Sequence, residues 1–264
     1  MKKHSHNKTP RIVSLAPSAT SILCAIGAKS VLVGVTKWCP DVAPVSHLPK
    51  LGDCWHLKSV NEMLKLKPSL VIGSVPFKQE TVAKLLQQPF HFLAMNPRTL
   101  VDIAADIRLL GGITQRNAAA ERFAQKMSRK LSEIASQTRR FPRRVRVYCE
   151  AWSNPRISSP PWVSELVAIC GGEMVVPGGA KVTEAQVAAA NPDLIILAWA
   201  ATGTKARPSK TYQVPNWKNV SAIRNREVHV IRDEWLNTPG PPLLHGARTL
   251  FKLFADYHRR RPTS

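Results

Sequence analysis

The sequence predicts an α/β protein of two lobes with mainly parallel sheets, and three observations predict it. Short apolar runs rich in Val, Ile and Leu alternate with stretches whose apolar residues recur at helical spacing, the pattern of strand and helix in turn. One phrase occurs twice: Lys67-Pro68 and Asn191-Pro192 each close a helical pattern just before an apolar strand, Leu70-Val71-Ile72 and Leu194-Ile195-Ile196. Between the two copies lies a stretch without strand signals, from Thr99 to Thr138.

Taken in order, the first lobe reads as a strand at Ile12-Leu15, a helix near Ser18-Ile26, a strand at Val31-Val35, a helix near Val60-Leu66 and a strand at Leu70-Ile72. A helix near Thr81-Leu86 and a strand at Phe90-Met95 complete it. In the middle stretch Leu100, Ile103, Ile107 and Leu110, then Phe123, Met127, Leu131 and Ile134, follow helical spacing, with Gly111-Gly112 expected to break or kink the helix. A floppy linker would be polar and rich in Gly or Ser. This stretch is neither, so a long rigid helix should join two Rossmann-like lobes. The second lobe reads as a strand at Val145-Cys149, a loop, a helix near Val163-Cys170, a short helix near Glu184-Ala190, strands at Leu194-Trp199 and Val228-Ile231, and a final helix from about Leu243 to Tyr257. The expected organisation is an amino-terminal lobe over 11-96, a bridging helix over 97-140 and a carboxy-terminal lobe over 141-264.

Composition narrows the classes. A chain of 264 residues, 44 per cent hydrophobic, can build a sizeable core without staples. Its cysteines are Cys24, Cys39, Cys54, Cys149 and Cys170, an odd number without a C-x-x-C pair, so neither a standard zinc site nor a fully paired disulfide framework is written. That leans toward a reducing compartment. The opening MKKHSHNKTP is basic but lacks the apolar core of a secretory signal. The chain as written is therefore expected in the cytoplasm, and in the periplasm if a leader has been removed or the true start lies upstream. No run approaches the roughly 18 apolar residues of a membrane span. The net charge is +21, yet Lys and Arg are spread over the whole length, with local runs such as Arg139-Arg140, Arg143-Arg144 and Arg259-Arg260-Arg261. With no nucleic-acid motif beside them, a solvated basic surface is expected rather than specific nucleic-acid binding.

In open α/β sheets ligands bind outside the carboxyl ends of the strands. The segments there carry Pro17-Ser18, Trp38-Cys39, Trp55-His56 and Pro76-Phe77 in the first lobe. Glu150, Trp152, Trp162, Trp199 and Trp235 stand there in the second. Six of the seven tryptophans fall in or beside these loops, and flat apolar walls with a few polar groups suit a large planar ligand. Trp162 admits a second reading, as a staple holding the following helix to its sheet. Catalytic signatures are missing: there is no G-x-S-x-G, H-E-x-x-H or G-x-x-x-x-G-K-[ST], and SLAPSAT lacks the glycines of a dinucleotide fingerprint. No catalytic residue is expected. Cys39 or Cys149 with His47, His56 or His245 carries no local mark of a nucleophile, and His4-x-His6 suits a stray metal ion at most.

RIVSLAPSATSILCAIGA, VGVTKWCPDVAP, LGDCWHLKSVNEMLKLKPSLVIGS, VYCEAWSNPRISSPPWVSELVAICGGE, NPDLIIL and NTPGPPLLHGARTLF, met in that order, resemble the iron-siderophore and vitamin B12 substrate-binding protein family of ABC importers. The resemblance is greatest to its cobalamin-binding branch and runs over 11-257. It implies the class III periplasmic-binding-protein architecture, a corrinoid held non-covalently in a cleft between lobes, little closure, no chemistry on the ligand and an ABC importer permease as partner. It implies cleft positions for Trp38, Trp55 and Trp235, and for Trp152 at a shifted place within 151-157. Family docking uses one exposed glutamate per lobe, and the matching positions here hold Asn61 and Ala185. Glu62 and Glu184 stand one residue away, a step that turns a helical side chain by about 100°. A ferric siderophore or haem is the alternative ligand. A cytosolic corrinoid-dependent enzyme or sensor, with Glu150 or a Cys/His pair as acid-base groups, is the alternative class. Chemistry alone adds that Cys39, Cys54 or His56 could coordinate cobalt or iron directly.

Overall fold

The structure is a computed structural model and describes residues 9-203 and 205-261. The chain divides into two compact units: one runs up to Asn96 and takes in Ala104–Ala124, and the other comprises Pro97–Ile103 and the residues from Gln125 onward.

In the first unit β1 (Ile12–Ser14), α1 (Pro17–Ala25), β2 (Leu32–Val35), α2 (Val60–Lys65), β3 (Leu70–Ser74), α3 (Gln79–Leu86) and β4 (His91–Met95) alternate as the sequence predicts. The sheet has the order β2-β1-β3-β4 and every pair is parallel. Parallel pairing forces a crossover between neighbours, so all the loops after strands collect on one edge. Val13, Leu15, Leu51, Cys54, Met63, Val71 and Leu85 form a core on one face, with Phe77, Phe90 and Phe92 packed against it.

The expected single helix over 97-140 is two helices, α4 (Leu100–Ile113) and α5 (Asn117–Thr138). The break has a clear cause. Gln115 takes a left-handed φ of 57°, the Arg116 N–H donates to the Gly111 carbonyl at 2.7 Å, and the Gln115 N–H donates to that of Gly112 at 3.3 Å. That is a Schellman stop. A Cβ on Gly111 would lie 2.4 Å from the Cβ of Ala120, so the glycine lets the start of α5 pack tightly on the end of α4.

In the second unit β5 (Val145–Ser153), β6 (Arg156–Ser158), α6 (Pro161–Ile169), β7 (Gly172–Met174), α7 (Glu184–Ala190), β8 (Leu194–Leu197), α8 (Pro208–Tyr212), α9 (Ser221–Arg224), β9 (Val228–Val230), α10 (Asp233–Asn237) and α11 (Leu243–Arg260) follow one another. The order is β6-β5-β8-β9, with β7 beside the first half of β5, and only the β5–β6 pair is antiparallel. All four residues of β8 are buried, as a central parallel strand covered on both faces requires. α7 begins at a full capping box, Thr183 with Gln186, and ends at Asn191 with φ 43°.

The stretch after Cys149 corrects the sequence reading. It is no loop: β5 continues to Ser153 and turns back as β6, with Trp152 paired to Ile157 and Ser153 to Arg156. An acidic residue after an apolar run looks like the end of a strand, but here Glu150 is buried inside it.

Candidate ligand-binding site

In the first unit the carboxyl edge is built from four segments. After β1, Pro17 opens α1 at its first position, where a missing N–H costs nothing. Ser18 is buried, and its hydroxyl has no hydrogen-bond partner among the described residues. After β2, the Trp38 N–H donates to Thr36 Oγ1 at 3.1 Å and Lys37 Nζ lies 4.4 Å from the centre of the Trp38 ring. After β3, Phe77 is half-buried on the core.

The fourth segment is tied to this edge by its backbone. The Leu51 N–H donates to the Val35 carbonyl and the Lys78 N–H to that of Cys54. Asp53 Oδ1 accepts from the N–H groups of Trp55 at 2.9 Å and His56 at 2.7 Å, an Asx turn that fixes both side chains' departure points. Gly52 has φ 97°, and a Cβ there would lie 2.3 Å from the His56 carbonyl oxygen. His56 is exposed, and Trp55 is 49 per cent exposed, unusual for so large an apolar ring.

The thiols do not join this edge. Cys39 is fully buried, its sulfur 3.1 Å from both Thr20 Oγ1 and Thr36 Oγ1. Burial raises its pKa against the opposing effect of those bonds. Burial likewise pushes Cys54 up to about 12; its sulfur fills the space where Gly73 lacks a side chain. Protonated, packed thiols are poor metal ligands, so of the three groups considered for direct coordination only His56 presents its donor.

In the second unit the edge is organised by one carboxylate. Glu150 is 0 per cent exposed. Its Oε2 accepts from Tyr148 Oη and Arg156 Nη1, both at 2.8 Å, and its Oε1 accepts from Trp199 Nε1 at 2.8 Å. Arg156 also donates to Glu184 Oε1 at 3.2 Å and stacks 4.5 Å from the centre of the Trp217 ring. Trp217 in turn donates to the Glu184 carbonyl and meets Tyr148 edge-on. A charge taken out of water needs such partners, and Glu150 has three. It offers no surface to a ligand.

Trp152 lies two residues along the hairpin, 46 per cent exposed, with its Nε1 bonded to the Asn154 carbonyl. Its polar atom is thus satisfied within the turn while its face is bare. Trp199 and Trp235 are half-buried; Trp235 stacks on His245 at 5.7 Å. Trp162 is interior, its Nε1 donating to the Leu236 carbonyl at 2.9 Å, a bond that ties α6 to α10, where the staple expected from the sequence joined helix to sheet. Asp233 binds the Ala201 and Gly203 N–H groups; burial, then the charge of Glu234, raises its pKa to about 6.

Of the residues singled out in the sequence, Pro17, Trp38, Trp55, His56, Phe77, Trp152, Trp199 and Trp235 keep some surface, whereas Ser18, Cys39, Glu150 and Trp162 lie inside their units. Arg156 and Tyr148 were not singled out. Only the Ser-Asn-Pro-Arg turn, followed by a second short alternating run, hinted at the hairpin that brings Arg156 onto Glu150. Glu62 stands exposed in the first turn of α2 behind the Ser59 cap, and Glu184 opens α7 bonded to Arg156. His4 and His6 lie outside the described residues. Two open depressions of about 560 and 400 Å³ in the second unit contain none of the expected site residues. No group of three or more metal-ligating side chains occurs among the described residues, and no described helix is long and apolar enough to cross a membrane.

Two α/β units with mainly parallel sheets, whose strand-end segments carry aromatic faces, define a substrate-binding type of protein. The chain belongs to the periplasmic binding protein family, whose profile matches residues 12–234. It is 25 per cent identical to the vitamin B12-binding protein of Vibrio parahaemolyticus, over 95 per cent of this chain and 91 per cent of that one. With the Vibrio cholerae protein of the same name it shares 26 per cent, over 89 and 85 per cent. An uncharacterized ABC transporter substrate-binding lipoprotein of Bacillus subtilis is 22 per cent identical, over 91 and 78 per cent. Among solved structures, the periplasmic vitamin B12 binding protein of Vibrio cholerae superposes with a TM-score of 0.75 at 23 per cent identity, over 94 per cent of this chain and 97 per cent of that one. A periplasmic heme binding protein from Pseudomonas aeruginosa gives 0.80 at 20 per cent, over 93 and 92 per cent. These superpositions establish the class III fold.

Proposed function

We propose that this protein binds cobalamin or a related corrinoid without transforming it, and delivers it to an ABC importer. The single observation that carries this reading is the set of bare or half-bare indole rings at the carboxyl edges: Trp38 and Trp55 on the first unit, Trp152, Trp199 and Trp235 on the second. Flat apolar faces held by backbone and side-chain hydrogen bonds suit a wide ring system and lose little entropy on binding. The names of the curated relatives point the same way. Glu150, buried and bonded to three donors, and the protonated, packed thiols of Cys39 and Cys54 are not themselves poised for acid-base or nucleophilic work.

Glu62 and Glu184, each in the first turn of the helix before a Pro-led strand, are the carboxylates we assign to docking on the permease. The relatives are named as periplasmic proteins or as a lipoprotein, and this reading places the chain in such a compartment. Haem is the second reading, favoured by one feature: His56, exposed beside Trp55, is the ligand type that iron takes. Titrating the tryptophan fluorescence with cyanocobalamin, cobinamide, hemin and a ferric siderophore separates them. Quenching that saturates at one equivalent of corrinoid, with weaker response to the iron chelates, is expected. Saturation by hemin alone, lost in His56→Ala, transfers the assignment to haem.

A further inference from the structure

We propose that Glu150 is a positioning residue that sets both tryptophan faces of the second unit, Trp199 directly and Trp152 through the hairpin, with Arg156 as its counter-ion. The proposal rests on the corrinoid reading only for what the two faces hold. The geometry of the carboxylate carries the rest. Trp199 Nε1 donates to Glu150 Oε1 at 2.8 Å, so the indole plane at the end of β8 cannot rotate without breaking a bond to a buried charge. The backbone on either side of Trp199 is laddered to the same strand: the Ala198 N–H donates to the Glu150 carbonyl and the Ala200 N–H to that of Ala151.

Trp152 is reached by another route. The β5–β6 register slips between Glu150 and Trp152, and bulges loosen a pairing that the ladder alone would otherwise fix. Arg156 Nη1 bonded to Glu150 Oε2 at 2.8 Å closes the hairpin across that slip. Arg156 Nη2 on Glu184, the Trp217 ring beneath the guanidinium and the Val182 N–H on the Arg156 carbonyl fasten the returning strand to the body of the unit. Trp152 is only partly covered, being 46 per cent exposed, and its Nε1 bonds within the turn to the Asn154 carbonyl, so its direction is set by the hairpin that carries it.

Such a carboxylate acts without touching the ligand. Glu150→Gln keeps the size of the side chain but sets an amide against the guanidinium. The decisive experiment labels the full chain with 5-fluorotryptophan and reads the Trp152 and Trp199 resonances, assigned by Trp152→Phe and Trp199→Phe, in the ligand-free protein. In the parent both are single and narrow; in Glu150→Gln, and in Arg156→Lys should the first variant fold poorly, both shift and broaden while the Trp38 and Trp55 lines stay put. Unchanged Trp152 and Trp199 lines in a folded variant overturn the proposal whatever the ligand proves to be.

The second readout uses cyanocobalamin. Glu150→Gln weakens binding at least tenfold in the parent background but no more than about twofold when Trp152→Ala and Trp199→Phe are already present, the non-additivity of residues acting through one another. A full tenfold loss in both backgrounds refutes action through the tryptophans. A parent that binds no corrinoid overturns the functional reading and leaves the fluorine result to decide this one.

Discussion

Replacing Arg156 by Met leaves Glu150 in the interior of the second unit without its cation, and the size of the penalty follows from the surroundings. The carboxylate is 0 per cent exposed and the guanidinium 15 per cent, 2.8 Å apart. Removing one partner of a buried pair costs about 3–5 kcal/mol. Tyr148 and Trp199 still donate to the carboxylate, which puts the loss near the lower bound. Losing the guanidinium from the Trp217 face, 4.5 Å from the ring centre, adds about 0.5–2 kcal/mol. The expected total is about 4 kcal/mol. In the double variant Arg156→Met with Glu150→Gln no charge is left fully buried, and the partly exposed Glu184 loses its Arg156 bond in both variants, so the cost falls to about 2 kcal/mol, mainly lost stacking and imperfect hydrogen bonding. Urea unfolding followed by circular dichroism, with m-values compared across the set, measures both. A double variant as unstable as the single one would falsify the claim that the stranded carboxylate is what costs.

Three further outcomes are expected. A ¹³C carboxyl titration of Asp233 has its midpoint near pH 6, because burial and Glu234 raise its pKa to about that value. Its contribution to stability is then fully present below about pH 4 and lost as pH rises through 6, and Asp233→Asn removes that decline; a midpoint near 4 contradicts the burial described. Gly246→Ala brings a Cβ to 2.2 Å from the Trp235 carbonyl oxygen, a backbone clash that costs about 1–3 kcal/mol and lowers the melting temperature; an unchanged melting temperature excludes the close packing of α11 on α10. In a thiol assay at pH 8 on the native protein, Cys24, only half-buried, reacts first, while Cys39, Cys54, Cys149 and Cys170 wait for unfolding; rapid labelling of several thiols argues against their packing.

The alternation of strands and helices was legible because each unit repeats a simple local grammar. Helix Glu184–Ala190 lies where the sequence puts it because Asn191-Pro192 stops it, and the structure adds the Thr183 cap at its start. The Pro-led phrase marks a shared physical device, since Lys67 and Asn191 both take left-handed φ values, 48° and 43°. The Gly111-Gly112 pair rightly signalled a break, but not that the chain would turn through Gln115 into a second helix, because that depends on how closely Ala120 approaches. The hairpin of β5 and β6 was illegible for a different reason. A buried glutamate reads as a strand end until its counter-ion is placed, and Arg156, six residues on, becomes a partner only once the turn exists.

The same limit governed the site. Exposure of Trp55 and Trp152 agrees with their position at strand ends, where little packs over them. Ser18, Cys39 and Trp162 stand at equally suggestive positions in the sequence. They are interior because Cys39 is held by Thr20 and Thr36, Trp162 is anchored to the Leu236 carbonyl, and Ser18 is covered at the start of α1. Strand-end position can be read from the sequence, but which side chain turns outward depends on partners distant along the chain.

The most direct test of the account is a calorimetric titration of ligand-free protein with cyanocobalamin, run on the parent, Trp55→Ala and Trp152→Ala. Saturation at one equivalent, weakened at least tenfold by each substitution with folding intact, is the predicted result. No heat from a folded parent, or a parent-like affinity in both variants, would contradict it.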